Sequence, residues 1–569
     1  MNLSLLLLLA ILPAGRETVW NPGVPGGIPN RTTVCATIAA SVCGNGSNDC
    51  RATIQAAIDA CPANQVVQLG AGDFKVLQNI HVWSNVTLRG AGPTATRLKV
   101  PVGTNANVVT VGQQWFPFGF FGTSRNLSAN AAKGATAVTL SSAAGIVAGG
   151  FVLIDQITDP NTDHWSSLSP PGDPSRGWFS RYDRPRGQIV VVTAVNGTTI
   201  SVDPALHTPF ATARTAQMTP INNYVVYAGL EDLSAEGGSA GQGNIWVRAA
   251  YSWVKNVNSY NQDGVSITLD GAFRCTVRDS YVHETQSPYP GGGGYGIGFS
   301  YYSSDNLIEN NIIWRMNKVM VMRTTGGGNV IGYNYMEDGY IGYDLGWVES
   351  GCNASHMIGA HYELFEGNQC FNFDGDDRWG GSTYVAVFRN HFTARRRDIS
   401  NLGLVEGGNN VGAQIGVGHW WYTFVGNVLG TPGMSPAPQS SFTYQDFEPW
   451  ANNPFPMWRF GRGEGWGATD PKVGSTAVRD GNYDYVSASV NWDNAIQTIP
   501  NSLYLASKPA FFGSYIWPWV DSVGSTKLYT LPARARFDAG TPFAGPPGET
   551  LPVPVAPGQP TLTYTLIGS

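Results

Sequence analysis

The sequence has few charged residues, and this scarcity excludes one class of partner. Asp, Glu, Lys and Arg make up 13% of the 569 residues, and the formal net charge is −6. This composition leaves no basic stripe along the chain. Nucleic acid is bound through its phosphates by such a basic surface. We therefore expect no nucleic-acid partner.

Long apolar runs are also lacking. The strongest, "LSLLLLLAIL" at residues 3–12, is too short to span a bilayer. It ends at "PAG", and an apolar run followed by small residues is typical of a secretory signal peptide. We predict a signal peptide at residues 1–15, a secreted, extracellular protein and no membrane span.

The chain contains no H-E-x-x-H, no P-loop and no C-x-x-C, so the usual zinc-protease, nucleotide and structural zinc sites are not expected. Four of the seven cysteines, Cys35, Cys43, Cys50 and Cys61, lie close together. In an exported chain they predict one or two local disulfides. Because seven is odd, at least one thiol stays unpaired, and we expect it to be buried.

Glycine and aromatic residues are abundant instead, with 70 Gly, 18 Trp, 24 Tyr and 24 Phe. Short alternating runs such as "VSITL" recur without a helical period, which favours an all-β protein. Seven turn sequences, from "WVKN" to "FVGN", align on one position. These residues are Asn256, Asp279, Asn310, Asn334, Asn368, Asn390 and Asn427. A base period of about 22–24 residues, sometimes lengthened by an insertion, is the mark of a solenoid.

The repeat predicts a parallel β-helix in which aligned Asn side chains stack into a hydrogen-bonded ladder at a turn. Near the N-terminus, "NDCRATIQAAIDAC" places Ile54, Ala57, Ile58 and Cys61 on one face of an amphipathic helix. This helix would cover the open end of the solenoid. The segments "IQAAIDACPANQVVQLGAGDF" and "VTLRGAG", with the Asn coils, resemble the pectate lyase superfamily. The resemblance implies a right-handed β-helix.

The predicted organisation has six parts. These are a signal peptide (1–15), an N-terminal cap with the first coils (16–125), a small inserted antiparallel β-module (126–210), the main parallel β-helix (211–430), an irregular aromatic-rich segment packed on the helix (431–540) and a Pro-rich tail (541–569). The module follows from alternating strands and the Asn196-Gly197 hairpin turn.

Inserted loops at about 284–302, 338–361 and 395–413 flank one strand of each coil, and they are rich in reactive side chains. Thirteen residues before successive ladder positions lie Ser266, Ile297, Val321, Ser355, Asp377 and Gln414, which we expect to share a sheet. The segment "DGDDRW" then faces a cleft between two of these loops. Loops on a rigid scaffold are common functional sites.

This cleft suits cleavage of a glycosidic bond by paired carboxylates. We predict Asp376 and Asp377 as the acid/base pair, supported by Asp374 and Glu349. The residues predicted to bind substrate are His356, Arg378, Trp379, Trp347, Arg323 and Trp420. Asp263 in "NQDG" resembles an Asp of the polygalacturonase branch, but its partner pair is missing, and we interpret it as a turn residue.

The leading hypothesis is a secreted glycoside hydrolase that acts on a polysaccharide and needs no cofactor. One alternative is a non-catalytic extracellular β-helix that binds carbohydrate, adheres or forms filaments, and self-association is left open. A second alternative is a polysaccharide lyase with a basic residue, Lys318 or Arg323, as the base. In that case Asp374, Asp376 and Asp377 would hold Ca²⁺.

Overall fold

The computed structural model describes residues 11–113, 121–166, 179–239, 241, 243–286, 293–339, 351–394, 411–434, 457–463, 469–495 and 497–543. Two predicted site residues, Trp347 and Glu349, lie outside these ranges, as do most of the predicted signal peptide and most of the Pro-rich tail. The domain boundaries and the signal peptide therefore stay predictions.

Most strands of the described residues belong to one long sheet, called sheet A. Its strands are Val34–Ile38, Gln65–Leu69, Gly72–Lys75, Val86–Arg89, Thr96–Lys99, Gly229–Glu236, Trp253–Gln262, Thr276–Arg278, Tyr281–Thr285, Leu307–Glu309, Ile312–Met316, Val330–Gly332, Tyr335–Gly339, Leu364–Glu366, Gln369–Cys370, Ala386–Phe388, His391–Phe392, Thr423–Val425, Val428–Leu429, Val478–Asp484 and Ser489–Trp492. The pairing is parallel until the final pair, Val478–Asp484 with Ser489–Trp492, which is antiparallel.

A second parallel sheet, called sheet B, closes the coils. Its strands are Ile80–Val82, Val109–Gly112, Val225–Val226, Ile245–Ala250, Val265–Asp270, Tyr295–Ser300, Lys318–Met322, Cys352–Asn353, Phe373–Gly375, Ala413–Gly416 and Trp458–Arg462. Successive coils contribute adjacent parallel strands to both sheets. The predicted all-β, right-handed parallel β-helix is confirmed as the fold class.

A separate antiparallel sheet interrupts the coils. It consists of Arg125–Asn126, Ala137–Thr139, Phe151–Gln156, Arg186–Asn196, Thr199–Asp203 and Gln217–Ile221. The strands Arg186–Asn196 and Thr199–Asp203 form the hairpin expected at Asn196-Gly197. The inserted antiparallel module is therefore present. The α-helices are Arg51–Asp59, Pro471–Thr476 and Pro532–Asp538, and the 3₁₀-helices are Ala40–Cys43, Thr212–Arg214 and Ala510–Phe512.

The interior of the solenoid is filled by equivalent side chains stacked from coil to coil. Along sheet B, Ile267 pairs with Ile297, Ile297 with Met320, Met320 with Cys352, and Cys352 with Phe373. All of them are buried in the main core. The helix Arg51–Asp59 also buries Ile54 and Ile58 in this core, as its amphipathic pattern predicts.

The predicted Asn ladder exists, but its first members sit one residue away from the predicted column. The ladder runs through Ser280, Asn311, Asn334, Asn368, Asn390, Asn427 and Asn482. The side-chain oxygen of Asn368, for example, accepts hydrogen bonds from both the backbone N–H and the side-chain amide of Asn334, each at 3.0 Å. These bonds satisfy polar groups that are fully buried at the turn.

The first three predicted ladder residues occupy the neighbouring column, where the backbone is left-handed. Asn256, Asp279 and Asn310 have φ values of 52°, 56° and 56°. Asn310 donates its side-chain amide to Asp279 at 2.6 Å, and Asn256 donates to Asp232 at 2.8 Å, so residues of this outer column also pair between coils. Asn tolerates left-handed φ and also bridges coils, and both columns therefore select it.

The cysteines form more disulfides than the sequence predicted. Cys35 is linked to Cys61 and Cys43 to Cys50, which confirms the local bridges, and Cys352 is linked to Cys370 within one coil. The remaining thiol, Cys275, is buried as expected. Disulfides form in oxidising compartments, so these bridges agree with the predicted export of the protein.

The N-terminal segment runs back along the outside of the β-helix. The contacts are Arg16 to Tyr422, Trp20 to Tyr362, Gly23 to Asp305 and Arg31 to Thr87. Ile11 and Leu12, inside the predicted signal peptide, are 3% exposed. The segment therefore ties late coils to early ones. No helix among the described residues is long and apolar enough to cross a membrane.

The ladder makes a testable prediction about stability. The substitution Asn368→Ala removes the acceptor for two donors of Asn334 and leaves them buried. Because an unsatisfied buried donor costs about 1–3 kcal/mol, we expect the free energy of unfolding to fall by about 2–5 kcal/mol. Urea unfolding would measure the loss. Asn30→Ala, at an exposed Asn, is the matched control and should change little; equal stability of both variants would contradict a stabilising ladder.

Candidate functional site

Polar side chains gather on the face of sheet B that points away from the core. Asn353, Asp374 and Gln414 pair in register, one from each successive coil, and the apolar Val321 precedes them in the same column. They alternate with core residues such as Phe373 and so point outward, as the two-residue period of a strand requires. All are nevertheless buried, with 2% exposure or less. The site is therefore enclosed.

This register corrects the predicted alignment, which had placed Ser355 and Asp377 in the column of Val321 and Gln414. The structure instead places Asn353 and Asp374 there. The prediction counted a constant thirteen residues back from the ladder. The number of residues between this strand and the ladder differs from coil to coil, so a constant offset fails.

The centre of the site is a chain of contacts between Lys318, His356 and Asp376. His356 Nδ1 lies 2.9 Å from Asp376 Oδ2 and 3.1 Å from Oδ1. Lys318 Nζ lies 3.3 Å from the same His356 nitrogen. Lys318 and Asp376 have no exposed surface, and His356 is 8% exposed. Three ionisable side chains from three successive coils thus meet in an enclosed site.

Asp376 receives hydrogen bonds from several directions. Besides His356, the side-chain amide of Asn353 lies 3.1 Å from Oδ2, and the backbone N–H of Arg378 lies 3.0 Å from Oδ1. Both of these donate to carboxylate oxygens, which favours the ionised form. With Nδ1 protonated, a neutral His356 donates to an ionised Asp376, and Nδ1 then accepts no hydrogen bond from Lys318. The basic lone pair of the imidazole then lies on Nε2.

His419 forms a hydrogen bond with the backbone of Asp376. Its Nε2 donates to the Asp376 carbonyl oxygen at 2.9 Å, and its Nδ1 lies 3.0 Å from Ser382 Oγ and 3.1 Å from the Tyr422 hydroxyl. Burial lowers the pKa of His419 to about 4, although the Asp376 carbonyl partly opposes this effect. His419 is therefore neutral at physiological pH and acts as a structural support.

Tyr295 and Arg323 complete the cluster. The Tyr295 ring centroid lies 5.0 Å from Lys318 Nζ, 5.8 Å from Arg323 Cζ and 6.5 Å from the His356 ring centroid. Burial lowers the pKa of Arg323 from its very high ordinary value, while Tyr295 and Asp270 oppose the shift. The cluster thus combines two basic side chains, an imidazole and a phenol around one aromatic ring.

The other predicted residues are distributed around this cluster. Asp374 Oδ2 accepts from the backbone N–H of Gly351 at 2.8 Å, and Asp377 and Arg378 are half-buried. Arg378 lies over Trp379, 5.7 Å from its ring centroid. The predicted substrate-binding role of these two residues stays a prediction.

Trp420 contacts Asp470 and Lys472, and its predicted substrate-binding role stays a prediction. Its indole N–H donates to Asp470 Oδ2 at 2.7 Å, and Lys472 Nζ lies 3.4 Å from its ring centroid. Asp263 lies in the turn between Trp253–Gln262 and Val265–Asp270, and its carboxylate accepts from the Gly241 N–H at 3.3 Å. Both side chains therefore have structural partners.

Sequence reasoning missed Tyr295, Asn353 and His419. Tyr295 stands in "GGGGYGIGFS", and His419 belongs to a coil after the aspartates. Alternation along the strand could have pointed to Asn353, which lies outward beside Asp374, but it would have placed Tyr295 on the same face as the core residue Ile297. Within the described part of the chain, no group of three or more His, Cys, Asp or Glu side chains could hold a metal ion. The alternative calcium site at Asp374, Asp376 and Asp377 is not formed there.

The geometry suits proton transfer. A carboxylate that fixes the imidazole tautomer, with Nε2 as the basic nitrogen, is the arrangement of a general base. Lys318 and Arg323 add positive charge close to it, which would stabilise negative charge that develops on a bound molecule.

No protein-family model matches the chain, and no curated protein matches its sequence. Among solved structures, the tailspike protein gp49 from Pseudomonas phage LKA1 is 14% identical, with a TM-score of 0.46 over 69% of this chain and 58% of that one. The tailspike gp61 of Pseudomonas phage phi297 is 13% identical, with a TM-score of 0.45 over 72% and 68%. The A-module of Azotobacter vinelandii mannuronan C-5 epimerase AlgE4 is 12% identical, with a TM-score of 0.33 over 70% and 90%. The chain thus spans little more than half of the first tailspike, and at this similarity no activity is transferred.

The buried His419 makes stability depend on pH. The pKa of His419 is about 4 in the folded protein and about 6.5 when unfolded. Between these values the unfolded chain binds the extra proton, so stability falls as the pH falls. We expect His419 to contribute a loss of about 2 kcal/mol between pH 7 and pH 5.

Urea unfolding of wild type and His419→Gln at both pH values would measure this contribution. Glutamine can still donate to the Asp376 carbonyl but does not titrate. The pH-dependent loss should shrink by about 2 kcal/mol in the variant. His391→Gln is a matched comparison, because burial also lowers the pKa of His391 to about 4. An unchanged pH dependence in His419→Gln would contradict a neutral, buried His419.

Proposed function

We propose that the protein is a secreted, carbohydrate-active enzyme that cleaves an acidic polysaccharide by proton abstraction, with His356 as the base. The observation that carries this proposal is the contact chain from Lys318 through His356 to Asp376. It supports the lyase alternative more than hydrolysis by paired carboxylates. The substrate class is a chain that contains uronate sugars, because a uronate carboxylate acidifies the adjacent C5–H bond.

In this mechanism, Nε2 of His356 removes the C5 proton of a bound uronate. The electron pair of the C5–H bond forms the C4–C5 double bond, and the C4–O bond to the next sugar breaks. The leaving oxygen takes a proton, which we assign to the Tyr295 hydroxyl. Negative charge grows on the uronate carboxylate during this step. Lys318 and Arg323 would stabilise it, as preorganised charges do in enclosed sites.

Hydrolysis by Asp376 and Asp377 is less well supported. A hydrolase needs one protonated carboxyl group at the glycosidic oxygen and a second carboxylate that activates water or attacks the sugar. Asp376 is fully buried and accepts hydrogen bonds from Asn353 and the Arg378 N–H while it contacts His356. These contacts favour a carboxylate that orients His356 over an acid that donates a proton.

The experiment offers polygalacturonate, alginate and bacterial acidic polysaccharides to the protein. It follows reducing ends and the ultraviolet absorbance of an unsaturated uronate in parallel. We expect both signals to appear together. His356→Ala should lower kcat by about 10²–10⁴-fold, the usual contribution of a general base. Asp376→Asn should cost about 10³-fold or more, since the amide no longer selects the Nδ1–H tautomer.

Asp377→Asn separates the two mechanisms, because it makes the same chemical change one residue away. Under elimination it keeps most of the activity, whereas under paired-carboxylate hydrolysis it is inactive. Reducing ends without ultraviolet absorbance, lost in both Asp variants, would establish the hydrolase. Absence of both signals across the panel, with folded protein, would instead support the non-catalytic alternative.

A further inference from the structure

An open groove lies on sheet A over the first coils, away from the His356 cluster. Its volume is about 380 Å³, which falls in the range of roughly 300–1,000 Å³ typical of small-ligand sites. The residues that line it include Asp73, Lys75, Lys99, Glu236 and Tyr260. The groove therefore combines four charged side chains and one aromatic ring with apolar surface.

The floor of the groove is a single register column of sheet A. Lys75 pairs with Lys99, Lys99 with Glu236, and Glu236 with Tyr260. Each coil thus contributes one side chain at strand spacing, about 4.8 Å apart. The parallel ladder fixes these backbone positions, so the floor is preformed.

Further along the β-helix, the C-terminal helix Pro532–Asp538 packs over the same column. After Tyr260 the column continues through His283 to Trp314, and the Trp314 ring packs against Phe537 of the helix Pro532–Asp538 at 5.4 Å. Tyr260 lies before this cover and is 37% exposed. Its ring is braced by His283, with 4.9 Å between ring centroids. Tyr260 is therefore a supported aromatic surface that faces the groove.

The charges around Tyr260 balance. Asp73 and Glu236 stand against Lys75 and Lys99, and Lys99 Nζ lies 2.8 Å from Asp73 Oδ2 and 4.0 Å from Glu236 Oε2. A groove with equal numbers of acids and bases has no preference for an ion. It offers donors and acceptors side by side, which suit hydroxyl groups that both donate and accept.

We propose that this groove is a saccharide-binding subsite in which a sugar ring stacks on Tyr260. The apolar face of a pyranose fits an aromatic ring, and its hydroxyls would bond to Asp73, Lys99 and Glu236. Tyr260 and the sheet B strand Val265–Asp270 are joined by a short turn, so the groove lies at the end of sheet A that leads into sheet B. The subsite takes its ligand class from the proposed function, but none of its residues belongs to the His356 cluster.

The test measures polysaccharide binding by affinity electrophoresis on the panel used for activity. The parent chain carries His356→Ala, so that the polymer is not cleaved during the measurement, and each tyrosine variant is made in this parent. Tyr260→Ala should weaken binding about tenfold, since the stacking surface is lost. Tyr515→Ala, at a comparably exposed tyrosine (40%) outside the groove, is the matched control and should bind as the parent does. Circular dichroism and the thermal midpoint check that both variants are folded.

Equal binding by the Tyr260→Ala chain and its parent would overturn the subsite, as would failure of the parent to bind any polysaccharide. These outcomes are separate from the activity assay. If the wild-type protein shows elimination activity but binding does not depend on Tyr260, only the subsite proposal fails. If binding depends on Tyr260 but the wild-type protein cleaves no polysaccharide, the proposed enzymatic function fails. The protein is then a saccharide-binding β-helix.

Discussion

The fold depends on one constraint, which is that the polar groups buried at each turn of the solenoid must find partners. In the inner ladder, each Asn side chain accepts from the coil before it and donates to a backbone carbonyl, as Asn390 does to Phe365 at 2.9 Å. A buried amide can do both, because it carries a donor and an acceptor. The ladder therefore fixes the relative position of successive coils. Coil length can vary elsewhere without disturbing that register.

The contrast between the fixed ladder and the variable coil lengths explains how much of the fold could be predicted. The ladder residues recur at readable intervals, so the solenoid and its approximate period follow from the sequence alone. The one-residue difference between Asn310 and Asn311 does not. One position needs a residue that tolerates left-handed φ, and the other needs a side chain that bridges buried backbone groups. Asn satisfies both demands, so the residue type alone does not distinguish the two columns.

The candidate site was harder to predict, because it depends on the register of sheet B. Site roles for Asp376 and His356 could be predicted from the sequence, since both residues lie in or beside long insertions. The lyase alternative placed Lys318 in one site with Asp376, but the contact between Lys318 and His356 was not predicted. That contact crosses 38 residues and requires the correct pairing of Lys318–Met322 with Cys352–Asn353. Pairing on sheet B is set by turn lengths that vary between coils, and composition does not encode them.

The buried charges of the site argue that it is more than a by-product of the scaffold. Lys318 and Asp376 are fully buried, and taking such groups out of water costs several kcal/mol each unless their contacts compensate. The coil before Lys318 has the uncharged Tyr295 at the equivalent position, so the fold itself does not require a charge there. Well-packed apolar residues would serve the fold at least as well. Charges kept where the fold does not need them, in contact with His356, therefore support the proposed function.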